Sequence, residues 1–241
     1  MSTAIILNVQ NGKIIYENQA HEPQFPASMT KMMTAYMVFQ ALKEKQVIMD
    51  TLCSISSNAV GKPGSTLGLV AGDKVAIRVA LFGMLAASAN DAATVLAEAI
   101  KGTEEAAVEW MNDQARALGM TSTVFTNVSG LHDEKMVSTA YDMGLLARAL
   151  LNDFSDYYYC FGIMEFSYNG VTYKNTNPFL GIKGIDGMKT GNTDAAGFNL
   201  VVSAAQEDDR RIIVVLMNAK TAEERDEKIL ALVDDGLQSL K

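Results

Sequence analysis

Residues 26–43 read PASMTKMMTAYMVFQALK, and this stretch gives the clearest indication of the fold. Its apolar side chains recur at helical spacing, and neither glycine nor proline follows Pro26 within it. We therefore predict a helix over Ser28–Lys43, with Ser28 in its first turn. The apolar face of this helix comprises Met32, Ala35, Tyr36, Val38, Phe39 and Leu42.

Short strands are predicted ahead of this helix. Residues Ala4–Asn18 read AIILNVQNGKIIYEN, which places two apolar runs on either side of Asn11 and Gly12. An Asn-Gly pair accepts the positive backbone angles of a tight hairpin turn. The chain is therefore expected to open with a β-hairpin.

Helical patterns dominate the middle of the chain, and strands return near its end. The helical patterns cover residues 77–87, 91–100, 103–118 and 139–151. Strand-like pieces follow at 171–174 and 187–190, and β-branched runs at 198–205 and 211–217 are separated by an acidic turn, QEDDR, at 206–210. An amphipathic helix is predicted over residues 222–240.

Strands at both ends of the sequence and helices between them predict an α+β fold class. We expect an antiparallel sheet flanked by helices, with an inserted helical subdomain. The prediction is a single domain over residues 1–241, with the sheet region at about 1–46 and 170–241 and the helical subdomain at about 47–169. A cleft is expected where the two parts meet.

Composition excludes several classes of protein. The 241 residues are 49% hydrophobic and contain four prolines, which is typical of a globular chain with a substantial core. Twenty basic residues against 28 acidic ones give a net charge of −8, the wrong sign for a surface that follows a phosphate backbone. Nucleic acid is therefore not expected as a partner.

No membrane span or metal site is predicted. The longest apolar run, Val79–Ala87, has about half the length that a spanning helix needs. No leader sequence precedes Ala4, which leaves open a cytosolic protein or a mature chain whose export signal has been removed. The cysteines, Cys53 and Cys160, form no CxxC pair, and the chain has only two histidines, so structural zinc is excluded and free thiols are favoured over a bridge.

Ser28 and Lys31 form an SxxK pair. A spacing of three on a helix brings a hydroxyl and an amine within reach of each other. The amine can serve as the base that activates the hydroxyl if burial or nearby cations lower its pKa. Alone, the pair is weak evidence, because SxxK arises by chance and is more often surface decoration.

Two further polar motifs stand in similar context. Ser88-Ala89-Asn90 lies between apolar helical segments, where either polar residue is as readily a helix cap as a functional group. Lys189-Thr190-Gly191 ends a strand-like piece, where a lysine and a hydroxyl beside a glycine suit an anionic substrate. The alternative for this motif is a turn with an exposed lysine.

Together, SxxK, SxN and KTG occur in the order found in serine β-lactamases and penicillin-binding proteins. The chain closely resembles the low-molecular-mass D-alanyl-D-alanine carboxypeptidases of the penicillin-binding protein 5 type, a family of serine peptidases. The resemblance covers nearly the whole chain and includes PASMTKMMTAY, STAYDMGLLARAL and IDGMKTGNTDAAGFNLV. It implies a fold of the β-lactamase/transpeptidase kind.

The resemblance also implies a role for each motif residue. Ser28 matches the acylated nucleophile and Lys31 its base, while Ser88 matches the serine that relays a proton to the leaving amine. Asn90 matches the residue that holds the substrate peptide bond, and Lys189 the one that supplies positive charge. The remaining positions are substrate-binding: Thr190 and Arg225 for the terminal carboxylate, Gly191 for close approach, and Asn192, whose backbone N–H forms the oxyanion hole with that of Ser28.

The implied substrate is a peptidoglycan stem peptide ending in D-Ala-D-Ala, the implied inhibitors are β-lactams, and no cofactor is implied. The implied location is the cell envelope. Two departures from the family pattern stand out. Asn192 replaces a histidine found in some relatives, and the chain stops at Lys241, so the β-rich domain and membrane anchor that follow in penicillin-binding protein 5 are expected to be absent.

Three alternatives remain. A class A β-lactamase needs a deacylating glutamate in an ExxLN sequence, and between Asn90 and Lys189 the nearest candidate, Glu134, is followed by KMVS. A non-catalytic sensor of penicillin or peptidoglycan would stay acylated. A cytosolic serine amidohydrolase with an SxxK pair fits the missing leader but not the KTG region.

Overall fold

A computed structural model describes residues 1–206 and 210–240 of the chain. The strands are β1 (Thr3–Asn8), β2 (Ile14–Asn18), β3 (Leu52–Ser54), β4 (Lys74–Ala76), β5 (Glu165–Tyr168), β6 (Val171–Lys174), β7 (Ile185–Thr193), β8 (Gly197–Ala205) and β9 (Arg211–Ala219). The α-helices are α1 (Lys31–Lys43), α2 (Ser57–Val60), α3 (Ile77–Ala86), α4 (Asn90–Lys101), α5 (Glu104–Ala117), α6 (Ala140–Asp153) and α7 (Ala222–Gln238). Two 3-10 segments lie at Ala27–Thr30 and Ser155–Gly162.

A five-stranded sheet joins the two ends of the chain, in the order β2-β1-β9-β8-β7. Every pairing in it is antiparallel, and β1 pairs with β9 through Ile5 and Val215. The predicted α+β class, with an antiparallel sheet flanked by helices, is confirmed. The extent predicted for the helical subdomain, about 47–169, stays a prediction.

Alternate residues of the strands supply two hydrophobic cores, because successive side chains point to opposite faces of a sheet. Ile5 and Leu7 belong to the core shared with α1 and α6, whereas Ala4 and Ile6 belong to the core under α7. Both faces of the sheet are therefore covered, which explains why its central strands are rich in β-branched residues.

Helix α1 is buried on nearly all sides, not on one face as its pattern predicted. Only Gln40 and Lys43 of its thirteen residues are not classed as buried. The sheet core lies against it on one side, and α3, α4 and α6 surround the rest. A helix enclosed in this way needs apolar residues all round, and this one has them.

The α-helix begins at Lys31, later than predicted, because Ser28 lies in the preceding 3-10 segment. Ala27 has a φ of +47°, a left-handed conformation that a non-glycine residue adopts only when its surroundings impose it. This conformation turns the chain sharply just before Ser28. The nucleophile candidate therefore sits at a corner rather than inside a regular helical turn.

Other differences from prediction concern short elements and ends. The β3-β4 pair, α2, β5 and the 3-10 segment at Ser155–Gly162 were not predicted, since runs of three to eight residues show no reliable periodicity. The strand predicted at 187–190 extends over β7, and the last helix ends at Gln238. The middle of the predicted acidic turn, residues 207–209, lies outside the described residues.

Cys53 and Cys160 are both buried free thiols. No described helix is both long enough and apolar enough to cross a lipid bilayer.

Candidate active site

Three segments that are distant in sequence meet beside the N-terminus of α1. They are the turn that carries Ser28, the start of α4 at Asn90, and the KTG stretch of β7. Lys31 lies at their centre. The structure therefore brings together the three motifs that the sequence singled out.

The Lys31 amine has three oxygen neighbours. Its Nζ lies 3.0 Å from Ser28 Oγ, 2.7 Å from Asn90 Oδ1 and 2.5 Å from the carbonyl oxygen of Ser129. The last two oxygens can only accept hydrogen bonds, whereas the serine hydroxyl can also donate one. As an ammonium, Lys31 would donate to all three oxygens. A neutral amine has two N–H donors and one lone pair, so it can donate to Asn90 and Ser129 and accept the Ser28 proton.

Burial shifts both lysines of the site toward the neutral form. Lys31 and Lys189 are fully buried. Desolvation, reinforced by the charge of nearby Lys189, holds the pKa of Lys31 well below its ordinary value. Desolvation also lowers the pKa of Lys189 to about 7. Lys31 is therefore placed and tuned to act as a general base.

The Asn90 amide lies between a backbone carbonyl and the Lys31 amine. Its Nδ2 donates to the carbonyl of Pro63 at 2.7 Å, which leaves Oδ1 to accept from Lys31. The helix-cap interpretation of the SxN motif is wrong, because Ala89 is the cap residue of α4 and no side chain makes a capping hydrogen bond there. One N–H of the Asn90 amide remains for a ligand.

Ser88 is buried, and its φ of +58° is again left-handed. The N–H of the next residue, Ala89, donates to the carbonyl of Gly83 and so fixes the turn between α3 and α4. The hydrogen bonds of Lys31 reach Ser28, Asn90 and Ser129 but not Ser88. Ser88 is thus held beside the cluster without belonging to the hydrogen-bond network of Lys31.

Strand β7 passes close to the turn at Ala27–Thr30 that carries Ser28, which we call the nucleophile turn. This close approach is possible because Gly191 has no side chain. A Cβ at Gly191 would lie 2.8 Å from the carbonyl oxygen of Pro26 and 3.1 Å from the amide nitrogen of Ser28. Among the described strands, β7 pairs with β8 alone, so no strand occupies its other edge, where an extended ligand could pair. Lys189 Nζ donates to the carbonyl of Thr190 at 3.1 Å.

Several residues that fix the nucleophile turn were not predicted. Asn199 on β8 donates through Nδ2 to the carbonyls of Phe25 and Pro26, at 2.9 and 3.3 Å. Gly130, at a φ of +84°, packs so tightly that a Cβ would overlap the carbonyl oxygen of Ala27. A polar residue inside the apolar run FNLVV was the one sequence signal for Asn199.

Asp91, also unpredicted, holds the loop that reaches Asn90. This buried carboxylate accepts hydrogen bonds from the backbone N–H groups of Leu67 and Leu69. Asn90 N–H donates to the Ser65 carbonyl in the same loop. The loop and the start of α4 are therefore tied together on both sides of Asn90.

Two further predicted site residues make contacts that do not involve Ser28 or Lys31. Arg225 on α7 is buried and pairs with Asp226 through both Nε and Nη2. Asn192, near the end of β7, is exposed, and its Nδ2 lies 3.4 Å from the carbonyl oxygen of Gly197. Neither contact joins these residues to Ser28 or Lys31, so their roles stay predictions.

Comparison with known proteins identifies similar chains. The model of the peptidase S11 family, described as D-alanyl-D-alanine carboxypeptidase, matches residues 1–221. The D-alanyl-D-alanine carboxypeptidase DacD of Escherichia coli K12 is 34% identical over 98% of this chain. The chain spans only 62% of the length of DacD and 56% of that of DacC from the same organism.

Solved structures of penicillin-binding proteins are also similar to this chain. Penicillin binding protein 6B from Escherichia coli superposes with a TM-score of 0.93 at 33% identity, covering 98% of this chain and 77% of that one. Penicillin-binding protein D2 from Listeria monocytogenes, solved with cefotaxime bound, gives a TM-score of 0.88 at 31% identity, covering 98% and 96%.

The tight packing of Gly130 generates a test of the nucleophile turn. We expect Gly130→Ala to slow labelling of Ser28 by a fluorescent penicillin at least about 100-fold, because the added methyl group displaces the Ala27 carbonyl and with it the serine. Gly102→Ala is the matched control, since Gly102 has a φ of +86° and open space around its Cβ position. Equal labelling of the two variants would contradict the role given to Gly130.

Proposed function

We propose, since this chain belongs to the D-alanyl-D-alanine carboxypeptidase family, that it removes the terminal D-alanine from peptidoglycan stem peptides through an acyl-enzyme on Ser28. The observation that carries the proposal is the buried Lys31 amine, 3.0 Å from Ser28 Oγ and lowered in pKa. We place this activity in the cell envelope, where such peptides occur.

The first step forms the acyl-enzyme. Neutral Lys31 takes the proton of the Ser28 hydroxyl as Oγ attacks the carbonyl carbon of the penultimate D-alanine. The backbone N–H groups of Ser28 and Asn192 stabilise the oxyanion that develops. The peptide C–N bond then breaks, and the departing amine receives a proton by way of Ser88.

Water completes the reaction. A water molecule gives up a proton to the same base and attacks the ester carbon, and Ser28 leaves with its proton restored. The products are the shortened peptide, now ending in a free carboxylate, and one D-alanine. Besides the substrate and water, this scheme uses the side chains of Ser28, Lys31 and Ser88 and the backbone N–H groups of Ser28 and Asn192.

Substrate binding uses the open side of the site. An extended peptide can pair with the free edge of β7, where the spare N–H of Asn90 reaches a peptide carbonyl. Lys189, Thr190 and Arg225 then form a local positive site for the terminal carboxylate. The positive charge of this site attracts the substrate carboxylate at short range, although the net charge of the protein is −8.

β-Lactams should react with Ser28 as substrate mimics, because their strained amide occupies the place of the scissile peptide bond. The cefotaxime complex of the Listeria relative supports this extension to the present chain. The drug carboxylate would use the same positive site as the peptide carboxylate.

The central test is acylation together with turnover. Incubation with benzylpenicillin should add the mass of the drug to the peptide containing Ser28. In a separate assay without the drug, the enzyme should release D-alanine steadily from a D-Ala-D-Ala peptide. Lys31→Arg should acylate at less than about a tenth of the wild-type rate, because a guanidinium retains its proton.

Mass spectrometry and a D-alanine assay distinguish the possible failures. Labelling of Ser28→Ala would show that another residue is the nucleophile. Labelling of wild type without turnover would replace the enzyme by a penicillin or peptidoglycan sensor, and rapid loss of the drug adduct would favour a β-lactamase.

The pH profile tests the coupling between the two lysines. The rate should fall at low pH as Lys31 takes up a proton, and the charge of Lys189 lowers the pKa at which this occurs. In Lys189→Met that charge is gone, so the acid limb of the acylation rate should move to higher pH. In Lys189→Arg, where the charge remains, the limb should stay in place, and identical profiles for all three proteins would refute the coupling.

The role of Arg225 is tested by the charge of the substrate terminus. Arg225→Ala should lower kcat/KM for a D-Ala-D-Ala peptide far more than for its C-terminally amidated counterpart, because only the free acid offers a carboxylate to the guanidinium. A wild type that cleaves both peptides equally would rule out a carboxypeptidase. An unaffected Arg225→Ala would leave the site intact but remove this arginine from it.

A further inference from the structure

Thr176 makes a direct hydrogen bond to Thr190 of the KTG motif. No sequence motif predicted this contact. Thr176 Oγ1 lies 2.6 Å from Oγ1 of Thr190, and either oxygen can be the donor. Thr190 is buried, whereas Thr176 is exposed at the open side of the site. The pair therefore connects the solvent-facing rim with the hydroxyl proposed to meet the substrate carboxylate.

The backbone around Thr176 is fixed by its two neighbours. Asn175 donates through Nδ2 to the Ile163 carbonyl at 2.8 Å, and Asn177 donates through Nδ2 to the Gly187 carbonyl of β7 at 3.2 Å. The Asn177 N–H is in turn bound by Oδ1 of Asn175. The segment is thus held between the chain ahead of β5 and the strand that carries Thr190.

A third attachment ties Thr176 to the second motif. Its own backbone N–H donates to the carbonyl of Ala86 at 3.0 Å, at the end of α3 and two residues before Ser88. With its backbone held from three directions, Thr176 keeps its Cα fixed beside Thr190. Such fixed placement is what positions a polar group without adding an entropic cost on binding.

The number of protons decides the direction of the hydrogen bond. A carboxylate only accepts hydrogen bonds, and the Thr190 hydroxyl has a single proton. When Thr190 donates that proton to a carboxylate, it can only accept from Thr176. A hydroxyl that accepts one hydrogen bond becomes a stronger donor in the next, so the pair acts as a short cooperative chain.

We propose that Thr176 is a positioning residue that directs the Thr190 hydroxyl at the terminal carboxylate of the substrate and thereby contributes to the selection of free-acid peptides. The proposal rests on the function proposed above and deepens it. It assigns a specificity role to a residue outside the three motifs.

The test compares Thr176→Val with Thr176→Ser on a D-Ala-D-Ala peptide and on its amidated counterpart. Valine keeps the shape of threonine and loses the hydroxyl, so kcat/KM for the free acid should fall roughly five-fold relative to the amide. Serine keeps the hydroxyl and should restore the wild-type ratio. The loss should appear mainly in KM, because the carboxylate is bound before and during the chemical step alike.

Thr172→Val is the matched control. Thr172 is also an exposed threonine whose hydroxyl pairs with another hydroxyl, that of Ser167 at 3.0 Å, but it lies in β6 away from the motifs. For Thr172→Val, the ratio of kcat/KM for the free-acid peptide to that for the amidated peptide should equal the wild-type ratio. Because the ratio of the two peptides is read within one variant, a smaller folded fraction cancels from it.

The outcomes separate this proposal from the one on which it rests. A wild type that prefers the free acid, with the same preference in Thr176→Val, overturns the role of Thr176 alone. A wild type without any preference overturns the proposed function and this inference together. A reduced preference in Thr176→Val that Thr176→Ser does not restore also contradicts the inference, because a hydroxyl would then not be the group that matters.

Discussion

The removal of one lysine amine from water is the constraint on which the rest of the structure depends. Burial disfavours a charged ammonium and lowers the pKa of Lys31, so the neutral amine is favoured there, with its hydrogen bonds satisfied. Asn90 and Ser129 satisfy its two donors and leave the lone pair for Ser28. The same contacts that make burial tolerable thus suit Lys31 to the role of base that we propose for it.

Much of the surrounding architecture serves to hold those two acceptors and the nucleophile turn in place. Asp91 fixes the loop behind Asn90, and Asn199 fixes the carbonyls just ahead of Ser28. Gly130 and Gly191 permit backbone to approach where any side chain would collide. The buried hydrogen bonds and the glycines therefore both fix the distances between backbone segments around the site. Packing of apolar groups alone would set these distances less precisely.

The sequence predicted the residues that stand in the SxxK, SxN and KTG motifs and missed those that reach the site from outside these motifs. Ser28 and Lys31 are three residues apart, within about one helical turn. Apolar periodicity located most of the helices and the strands β1, β8 and β9. The Ser129 carbonyl and the Asn199 amide reach the site only through tertiary packing, and no spacing along the chain reports such a contact. The left-handed turn at Ala27 was missed for the same reason, because the surrounding structure, not the residue type, imposes it.

The pairing of β1 with β9 has a consequence for how the protein is made. Apart from its hairpin partner β2, β1 is joined to the described sheet only through β9, where Ile5 pairs with Val215. Contacts of such long sequence separation close slowly, because the entropy of the intervening chain must be lost before they form. The sheet is therefore incomplete until the segment that forms β9 has been synthesised. Asn90 and the KTG stretch of β7 reach Ser28 and Lys31 only in the finished fold, so the proposed site is not yet assembled in a nascent chain.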